Sequence, residues 1–204
     1  MCKICGNKTT KMIINNNKYD KCLKCGFLQK DNILFLNSDM EKRRYTYHHN
    51  DSNSDYVLYQ KSFYQKIKQY VEGKTLDFGC GDNHILANII SSDFETYYYD
   101  LYFYPDLEYK NRKYKTIIME EVIEHLKEPL EVLLELVNLL CIGGKLIIET
   151  NFIPDDVKSQ NWWYLRDVTH ISFFEKKTFL YLCDFLGLKC IYCNDVNLII
   201  LEKV

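Results

Sequence analysis

Apolar and polar positions alternate along the chain from residue 75 onward in a way that predicts strands and helices in turn. Short apolar runs predict strands over 74–80, 95–100, 114–121 and 145–151, and two more over 188–195 and 197–204. Helical periodicity predicts helices over 84–92, 127–140 and 175–187. Pro129 suits a first helical turn, and Gly187 is a typical helix stop. This order predicts an α/β fold with a doubly wound, mostly parallel sheet.

The spacing between two of these strands is short. Only 14 residues separate Asp100 from Lys115. One crossover needs at least about 10 to 12 residues, and two crossovers with a strand between them need far more. One strand of a complete doubly wound sheet is therefore predicted to be missing, which leaves the strand over 95–100 at or near an edge.

The first 72 residues have a different pattern and divide the predicted organisation into three parts. Residues 36–72 carry a helical apolar stripe after a polar break at 48–55, and we interpret them as a helical connector or lid. Residues 1–35 are interpreted as a zinc ribbon, and residues 73–204 as the main α/β domain.

Four of the nine cysteines form two Cys-x-x-Cys-Gly motifs near the N-terminus. The motifs are Cys2–Cys5 and Cys22–Cys25, and the 16 residues between them suffice for a β-hairpin that turns at 15–17. Four thiolates at this spacing predict a tetrahedral zinc ion. Because four cysteines leave no coordination position open, the zinc is expected to be structural.

Composition and charge narrow the class of protein. The chain has 204 residues, 47% hydrophobic residues and a net charge of −2, which indicates a globular protein with one main domain. No apolar run approaches the roughly 20 residues of a membrane span, and the N-terminus lacks the apolar core of a signal peptide, so a cytoplasmic location is expected. The charge balance argues against a dedicated nucleic-acid binder.

A glycine turn follows the first main-domain strand in "LDFGCGDNH", residues 76–84. Gly79 and Gly81 leave room for a ligand to approach the backbone, and Asp100 ends the next strand, where an acid can bind ribose hydroxyls. A dinucleotide fingerprint would have a third glycine where this chain has His84. Asp77 suits a ligand that carries an ammonium or sulfonium group, so an amino-acid-bearing nucleoside is favoured.

These segments, together with "YYYD" and "TIIMEEVIEHLKEPLEVLLELVNLLCIGGKLIIETN", resemble class I S-adenosylmethionine-dependent methyltransferases. The resemblance implies a Rossmann-like methyltransferase fold and S-adenosyl-L-methionine as cofactor. It also implies a set of cofactor-binding residues: Asp77, Gly79, Cys80, Gly81, Asp100, Leu101, Glu120, Glu121 and Val122.

The resemblance extends to both ends of the chain. The cysteine motifs, "RYTYHHN" and "WWYLRDVTHISFFEKKTFLYL" are similar to a group of bacterial-type methyltransferases that carry an N-terminal zinc ribbon. Related enzymes methylate small molecules such as sugars, quinols or glycan intermediates. In this chain Val168 stands where such segments often have proline.

Four residues are candidates for the chemistry. His170 is the first choice for a base or an acceptor-positioning group, although it could instead pack against the final helix. His125 could face the pocket or support the loop after the strand at 114–121. Arg166 could clamp a phosphate or carboxylate of the acceptor, and Asp167 shares its short segment.

Acceptor-binding candidates come from two other segments. Trp162, Trp163 and Tyr164 form an aromatic group in a polar loop, where a sugar face could stack. His48 and Asn50 could form a lid, an interpretation that depends mainly on the resemblance.

Three functional hypotheses follow. The leading hypothesis is transfer of a methyl group from S-adenosylmethionine to an O or N of a small molecule, namely a sugar, nucleotide-linked or glycan precursor. The first alternative is an RNA or protein methyltransferase that uses its zinc ribbon to recognise the polymer. The second is a non-catalytic module that binds the cofactor or assembles through zinc.

Overall fold

The computed structural model describes residues 1–47, 54–155, 157 and 162–204. Its strands, in chain order, are β1 (Thr10–Ile14), β2 (Asn17–Lys21), β3 (Leu28–Lys30), β4 (Thr75–Phe78), β5 (Thr96–Tyr99), β6 (Tyr114–Glu120), β7 (Leu140–Glu149), β8 (Ser172–Phe173), β9 (Leu188–Cys193) and β10 (Leu198–Lys203). Its α-helices are α1 (Ser38–Tyr47), α2 (Ser54–Ile67), α3 (Ile85–Ile90), α4 (Pro129–Leu139) and α5 (Lys176–Leu186).

Six strands form the main sheet in the order β5-β4-β6-β7-β10-β9. Strands β5, β4, β6 and β7 are parallel neighbours, and β10 is antiparallel to both β7 and β9. The prediction of an α/β sheet is confirmed, and the sheet is mixed, with three parallel and two antiparallel strand pairings. The prediction that the strand over 95–100 lies at or near an edge is also confirmed, because β5 is the first strand in this order and pairs with β4.

Local sequence signals explain where the helices begin and end. Helix α5 starts with a capping box in which the Glu175 side chain accepts from a backbone amide and Thr178 completes the reciprocal bond. It ends at Gly187, whose φ of +67° is the left-handed conformation that glycine adopts without steric cost. Pro129 occupies the first turn of α4, as the sequence predicts.

The glycine pair at 143–144 behaves differently from the sequence prediction. Instead of separating α4 from a strand that starts at residue 145, the pair lies inside β7, which begins at Leu140. A β-carbon at Gly144 would lie 2.8 Å from the Cys141 carbonyl oxygen, so the backbone is too close there for a side chain. The pairing of β6 with β7 shifts register opposite this point, which accommodates the extra residues of the longer strand.

A second, four-stranded sheet has the order β1-β2-β3-β8, and all of its neighbours are antiparallel. The hairpin of β1 and β2 turns at Asn15 and Asn16, both with positive φ, which agrees with the predicted hairpin. Strand β8 comes from the C-terminal half of the chain. The backbone therefore links the cysteine-bearing segment directly to the segment that follows β7.

Helices α1 and α2 occupy much of the predicted connector. Helix α2 buries Phe63, Tyr64 and Ile67, which share a core cluster with Ile118 of β6 and Ile147 of β7. This packing fixes α2 against one face of the main sheet. None of the helices in the described ranges has both the length and the apolar character that crossing a membrane requires.

Phe27 lies between β2 and β3 of the second sheet and packs in the core cluster of the main sheet. Its side chain is fully buried and its ring lies 5.2 Å from the ring of Phe174. We expect Phe27→Ala to lower the free energy of unfolding by about 3 to 5 kcal/mol, because it removes a large buried ring and leaves a cavity. Urea denaturation followed by circular dichroism measures this change.

Leu23→Ala is the matched control, since Leu23 is 72% exposed on the same segment. Its unfolding midpoint should stay within experimental error of the unmodified protein. If Phe27→Ala left the main unfolding transition unchanged, the two sheets would not share one cooperative core.

Candidate functional site

A cavity of about 800 Å³ opens at the carboxyl ends of β4, β5 and β6. This is the edge of a parallel sheet where ligands bind in doubly wound folds. The turn after β4 and the segment after β6 line one side of the cavity. Side chains from α1 and α2 line another, namely Glu41, Tyr45, Tyr56, Tyr59 and Gln60.

The turn after β4 is held tightly by backbone hydrogen bonds. The amides of Gly79 and Cys80 both donate to the Tyr99 carbonyl oxygen, at 2.7 and 3.1 Å. Gly79 and Gly81 have φ values of +84° and +69°. A β-carbon at Gly79 would lie 2.4 Å from Val122 Cγ2, whereas one at Gly81 would meet no atom within 4 Å. Gly79 thus serves close packing, and Gly81 leaves open space at the cavity.

Asp100 is fixed by three backbone amides. Gly81 N donates to Oδ2 at 3.1 Å, and Tyr102 N and Phe103 N donate to Oδ1 at 2.8 and 3.1 Å. A carboxylate has about four lone-pair sites, so it can still accept a hydrogen bond from a ligand hydroxyl. Asp100 therefore keeps acceptor capacity at the cavity, and its ribose-binding role stays a prediction.

Asp77 is a buried acid behind the glycine turn, and only 2% of its surface is exposed. Its Oδ2 accepts a hydrogen bond from the Ala87 amide at 3.1 Å. Burial raises the pKa of Asp77 to about 7, the Ala87 amide opposes this shift, and the negative charge of Asp100 adds to it. A cationic ligand beside this carboxyl group would stabilise its ionised form.

Two further acids tie α2 to the ends of the strands. Gln60 Nε2 donates to Glu120 Oε2 at 2.7 Å, and the Tyr59 hydroxyl donates to Glu149 Oε2 at 2.8 Å. Burial raises the pKa of Glu120 to about 8, and the Gln60 hydrogen bond opposes the shift. These bonds place the aromatic face of α2 over the cavity.

A buried polar network lies beyond the end of β6. The Tyr164 hydroxyl donates to Glu121 Oε2 at 3.0 Å, and Thr150 Oγ1 donates to Glu124 Oε2 at 2.9 Å. Burial is the main cause that raises the pKa of Glu121 to about 9 and that of Glu124 to about 7. Glu121 has a φ of +51°, a strained conformation for a residue with a side chain.

His125 and His170 are brought together across this network. Their ring centroids lie 4.8 Å apart, and both residues line the cavity. His125 Nδ1 donates to the Thr169 carbonyl oxygen at 3.1 Å, and His170 Nδ1 donates to the Tyr164 carbonyl oxygen at 2.9 Å. A carbonyl can only accept, so both rings carry a proton on Nδ1.

The structure brings most of the predicted site residues to one place. All nine predicted cofactor-binding residues line the cavity. Asp167 also lines it, and it is held by Thr169 N and Thr169 Oγ1 at 2.9 and 2.6 Å and by Arg44 at 3.3 Å. Burial would raise the pKa of Asp167, but the hydrogen bonds from Thr169 and the charge of the Arg44 guanidinium hold it well below its usual range.

Other predicted residues lie elsewhere. Trp163 lines the cavity, whereas Trp162 packs against Phe173 at 5.7 Å and Tyr164 is fully buried. Arg166 is exposed and lines a separate surface cavity of about 310 Å³ instead. The predicted lid residues His48 and Asn50 lie outside the described residues.

The cavity walls are acidic. Seven acids line it, and the lining found among the described residues includes neither lysine nor arginine. The acids are Glu41, Asp77, Asp82, Asp100, Glu120, Glu121 and Asp167. Such a cavity favours a cationic ligand and opposes a polyanion.

The four N-terminal cysteines form a separate cluster. Their sulfur atoms lie within 4.8 Å of one another, with Cys2 and Cys25 at 3.6 Å and Cys5 and Cys22 at 3.4 Å. Four sulfurs around one zinc ion at about 2.3 Å would lie about 3.8 Å apart. The Ile4 amide points at Cys2 Sγ at 3.4 Å. The donor set and spacing fit a tetrahedral zinc ion.

The fold and the glycine turn define a Rossmann-like methyltransferase architecture. The family model described as a methyltransferase domain matches residues 53–192. The chain therefore belongs to this methyltransferase domain family. No curated protein matches the sequence significantly.

Solved structures of other methyltransferases share the fold at low sequence identity. An O-methyltransferase family protein from Burkholderia thailandensis is 13% identical with a TM-score of 0.58, and the alignment covers 80% of this chain and 62% of that protein. This chain therefore spans less than two thirds of that relative. Magnesium protoporphyrin IX methyltransferase from Synechocystis PCC 6803, solved with bound S-adenosylmethionine, is 12% identical with a TM-score of 0.51, covering 82% and 92%.

Asp77 should make the stability of the ligand-free protein fall as pH rises. Its pKa is higher in the folded state than in the unfolded state, so the folded state binds more protons between about pH 4 and pH 7. Asp77→Asn cannot ionise, and we expect the variant to gain stability over the unmodified protein as pH rises from 5 to 8. Thermal unfolding at both pH values measures the difference.

Asp184→Asn is the control, since Asp184 is exposed on α5. Its stability difference from the unmodified protein should be the same at pH 5 and pH 8. If Asp77→Asn also showed no dependence on pH, ionisation of Asp77 would not be costly in the folded state.

Proposed function

We propose that the protein transfers the methyl group of S-adenosyl-L-methionine to an O or N of a small molecule. The observation that carries this proposal is the single cavity that contains both halves of such a site. The glycine turn and Asp100 form one half, and His125, His170 and Trp163 form the other. Family membership and the shared fold support the same reaction class.

S-adenosylmethionine supplies an electrophilic methyl group on a positively charged sulfur. The residues of this chain would bind and orient the partners of that transfer. Asp100 would accept hydrogen bonds from ribose hydroxyls, and Asp77 would stabilise positive charge beyond the glycine turn. Gly81 would leave the backbone open to the ligand. His125 and His170 would contact the acceptor.

The acceptor that suits this cavity best is small, hydroxyl-rich and not strongly anionic. Tyr45, Tyr56, Tyr59 and Trp163 offer aromatic faces on which a sugar ring can stack. A sugar or glycan precursor matches these walls. Arg166, the candidate clamp for a phosphate group, lies at a different surface. The acidic lining is unfavourable for RNA, which argues against the polymer alternative.

We also infer that Cys2, Cys5, Cys22 and Cys25 hold a structural zinc ion. The sulfur–sulfur distances fit tetrahedral coordination, and all four ligand positions would be filled by protein. The ion would secure a small segment, 1–35, that has little core of its own. Its role would be to stabilise the sheet of β1, β2, β3 and β8.

Loss of the Asp100 carboxylate should weaken cofactor binding. We expect Asp100→Ala to raise the dissociation constant of S-adenosylhomocysteine at least about tenfold, or ~1.4 kcal/mol, because its hydrogen bonds to the ribose and to the cavity backbone are lost. Isothermal titration calorimetry on the unmodified protein and the variant measures this change.

Asp106→Ala is the matched control. Like Asp100, Asp106 accepts a hydrogen bond from a backbone amide, that of Glu108 at 2.9 Å, but it does not line the cavity. The Asp106→Ala variant should bind S-adenosylhomocysteine with the same dissociation constant as the unmodified protein. If S-adenosylhomocysteine did not bind to the unmodified protein, the methyltransferase proposal would be wrong.

The acceptor class requires a second measurement with the same protein. Methyl transfer from labelled S-adenosylmethionine should reach a hydroxylated sugar or glycan precursor in a panel that also contains RNA and unfolded protein. Exclusive labelling of a polymer would overturn the small-molecule proposal. Tight cofactor binding without transfer to any member of a broad panel would favour a non-catalytic module.

Cobalt substitution tests the zinc proposal. We expect about one equivalent of Co²⁺ to give the intense absorption of tetrahedral thiolate coordination, and Cys22→Ser to reduce that absorption and lower the melting temperature. Cys190→Ser is the control, since Cys190 lies in β9, away from the cluster. Unchanged thiolate absorption in Cys22→Ser would contradict the proposed ligand set.

A further inference from the structure

A second group of potential metal ligands lies at the acceptor end of the cavity. Glu124, His125 and His170 each offer one ligand atom, and these atoms lie within 4.8 Å of one another. Glu124 Oε1 is 3.9 Å from His125 Nε2. Ligands of one ion, each about 2.1 Å away from it, lie about 3 to 3.5 Å apart. Small side-chain rotations would therefore bring the three atoms to one ion.

Glu124 supplies an independent indication of a ligand. Its side chain is fully buried, and Oε1 has no hydrogen-bond partner among the described residues. Its other oxygen accepts from Thr150 Oγ1 at 2.9 Å. A buried carboxylate oxygen that no donor satisfies is costly, and such a group in a native structure calls for an explanation. A cation bound at Oε1 would supply the missing interaction.

The two histidines are oriented as metal ligands usually are. Because each Nδ1 donates its proton to a backbone carbonyl, the lone pair of the neutral ring is on Nε2. Histidines that bind metals almost always donate their other ring nitrogen to a carbonyl, a carboxylate or water. The hydrogen bond fixes both the tautomer and the direction of the ring.

The backbone holds the two ligand-bearing segments together. Ile171 N donates to the Glu124 carbonyl oxygen at 2.9 Å, while His125 Nδ1 donates to the Thr169 carbonyl oxygen in the opposite direction. Lys30 N of β3 donates to the Ile171 carbonyl oxygen at 2.9 Å. This bond holds the segment that carries His170 against the second sheet. The three ligands thus come from a preorganised framework.

We propose that Glu124, His125 and His170 bind a divalent first-row cation, with the carboxylate and both Nε2 atoms as ligands. Two imidazoles and one carboxylate suit such ions and leave coordination positions open. His125 and His170 line the cavity, so the open positions face it. The ion would bind an acceptor hydroxyl oxygen there. This use of the ion depends on the proposed function, whereas the site itself does not.

Mn²⁺ binding to the full chain tests the site without an activity assay. One equivalent of Zn²⁺ per chain is added first, because the four thiolates bind it in preference to the proposed site, and Mn²⁺ displaces it poorly from thiolates. The electron paramagnetic resonance signal of free Mn²⁺ then measures binding. We expect about one Mn²⁺ per chain, with a dissociation constant at least tenfold higher in Glu124→Gln and in His170→Asn.

Glu131→Gln is the matched control, since Glu131 is exposed on α4 and the substitution removes one carboxylate charge outside the proposed ligand set. Its Mn²⁺ affinity should be unchanged. His125→Asn provides a third ligand variant at a less buried position, so the test remains decisive if Glu124→Gln fails to fold. Melting curves and S-adenosylhomocysteine titrations report whether each variant is folded.

Two results would overturn the proposal. The first is the absence of Mn²⁺ binding to the unmodified protein. The second is equal binding by the unmodified protein and by folded ligand variants, which would mean that the acidic cavity attracts the ion without these ligands. Mn²⁺ binding without S-adenosylhomocysteine binding would retain the metal site and remove the proposed function, so the two failures are distinguishable.

Discussion

Burial of carboxyl groups at one edge of a parallel sheet is the constraint on which the rest of this structure depends. Asp77 and Glu124 are fully buried and Glu120 is partly buried, and burial raises the pKa of each. Polar neighbours such as Gln60 and Thr150 satisfy part of their hydrogen bonding. The cavity lining in the described residues contributes no lysine or arginine. A bound cationic ligand would therefore balance the negative charge of its acidic side chains.

The N-terminal sheet helps to build the same site from outside the main sheet. Strand β3 pairs with β8, two residues beyond His170, and Lys30 N holds the Ile171 carbonyl oxygen. Gln29 Nε2 also donates to the Lys127 carbonyl oxygen at 3.1 Å, beside the segment after β6. The segment that carries the cysteine cluster thus contributes strands to a sheet that contacts both segments at this end of the cavity. The zinc ion proposed for the cluster would stabilise that sheet and, through it, the cavity wall.

Sequence patterns predicted the parts of the site that are local in the chain. The glycine turn and Asp100 follow directly from strand ends, and parallel strands bring their ends to one edge. The stripe that includes Tyr56 and Tyr59 belongs to the predicted helical connector or lid, but the sequence does not predict that either residue lines the site. Both residues line the cavity, because helical periodicity does not distinguish a face that covers a core from one that covers a pocket. No sequence pattern indicated that Gln60 and Glu41 would line the cavity.

The sequence by itself determined the order of the main-sheet strands and of the helices between them, the edge position of β5 and the bend after β4, because these depend on periodicity, chain length and backbone freedom. Only the tertiary structure decided which side chains of residues 162–170 face the cavity. Trp163 and His170 line it, while Trp162 packs inward and Arg166 points elsewhere. Irregular segments lack a fixed period, so the direction of each side chain is set by the residues packed against it.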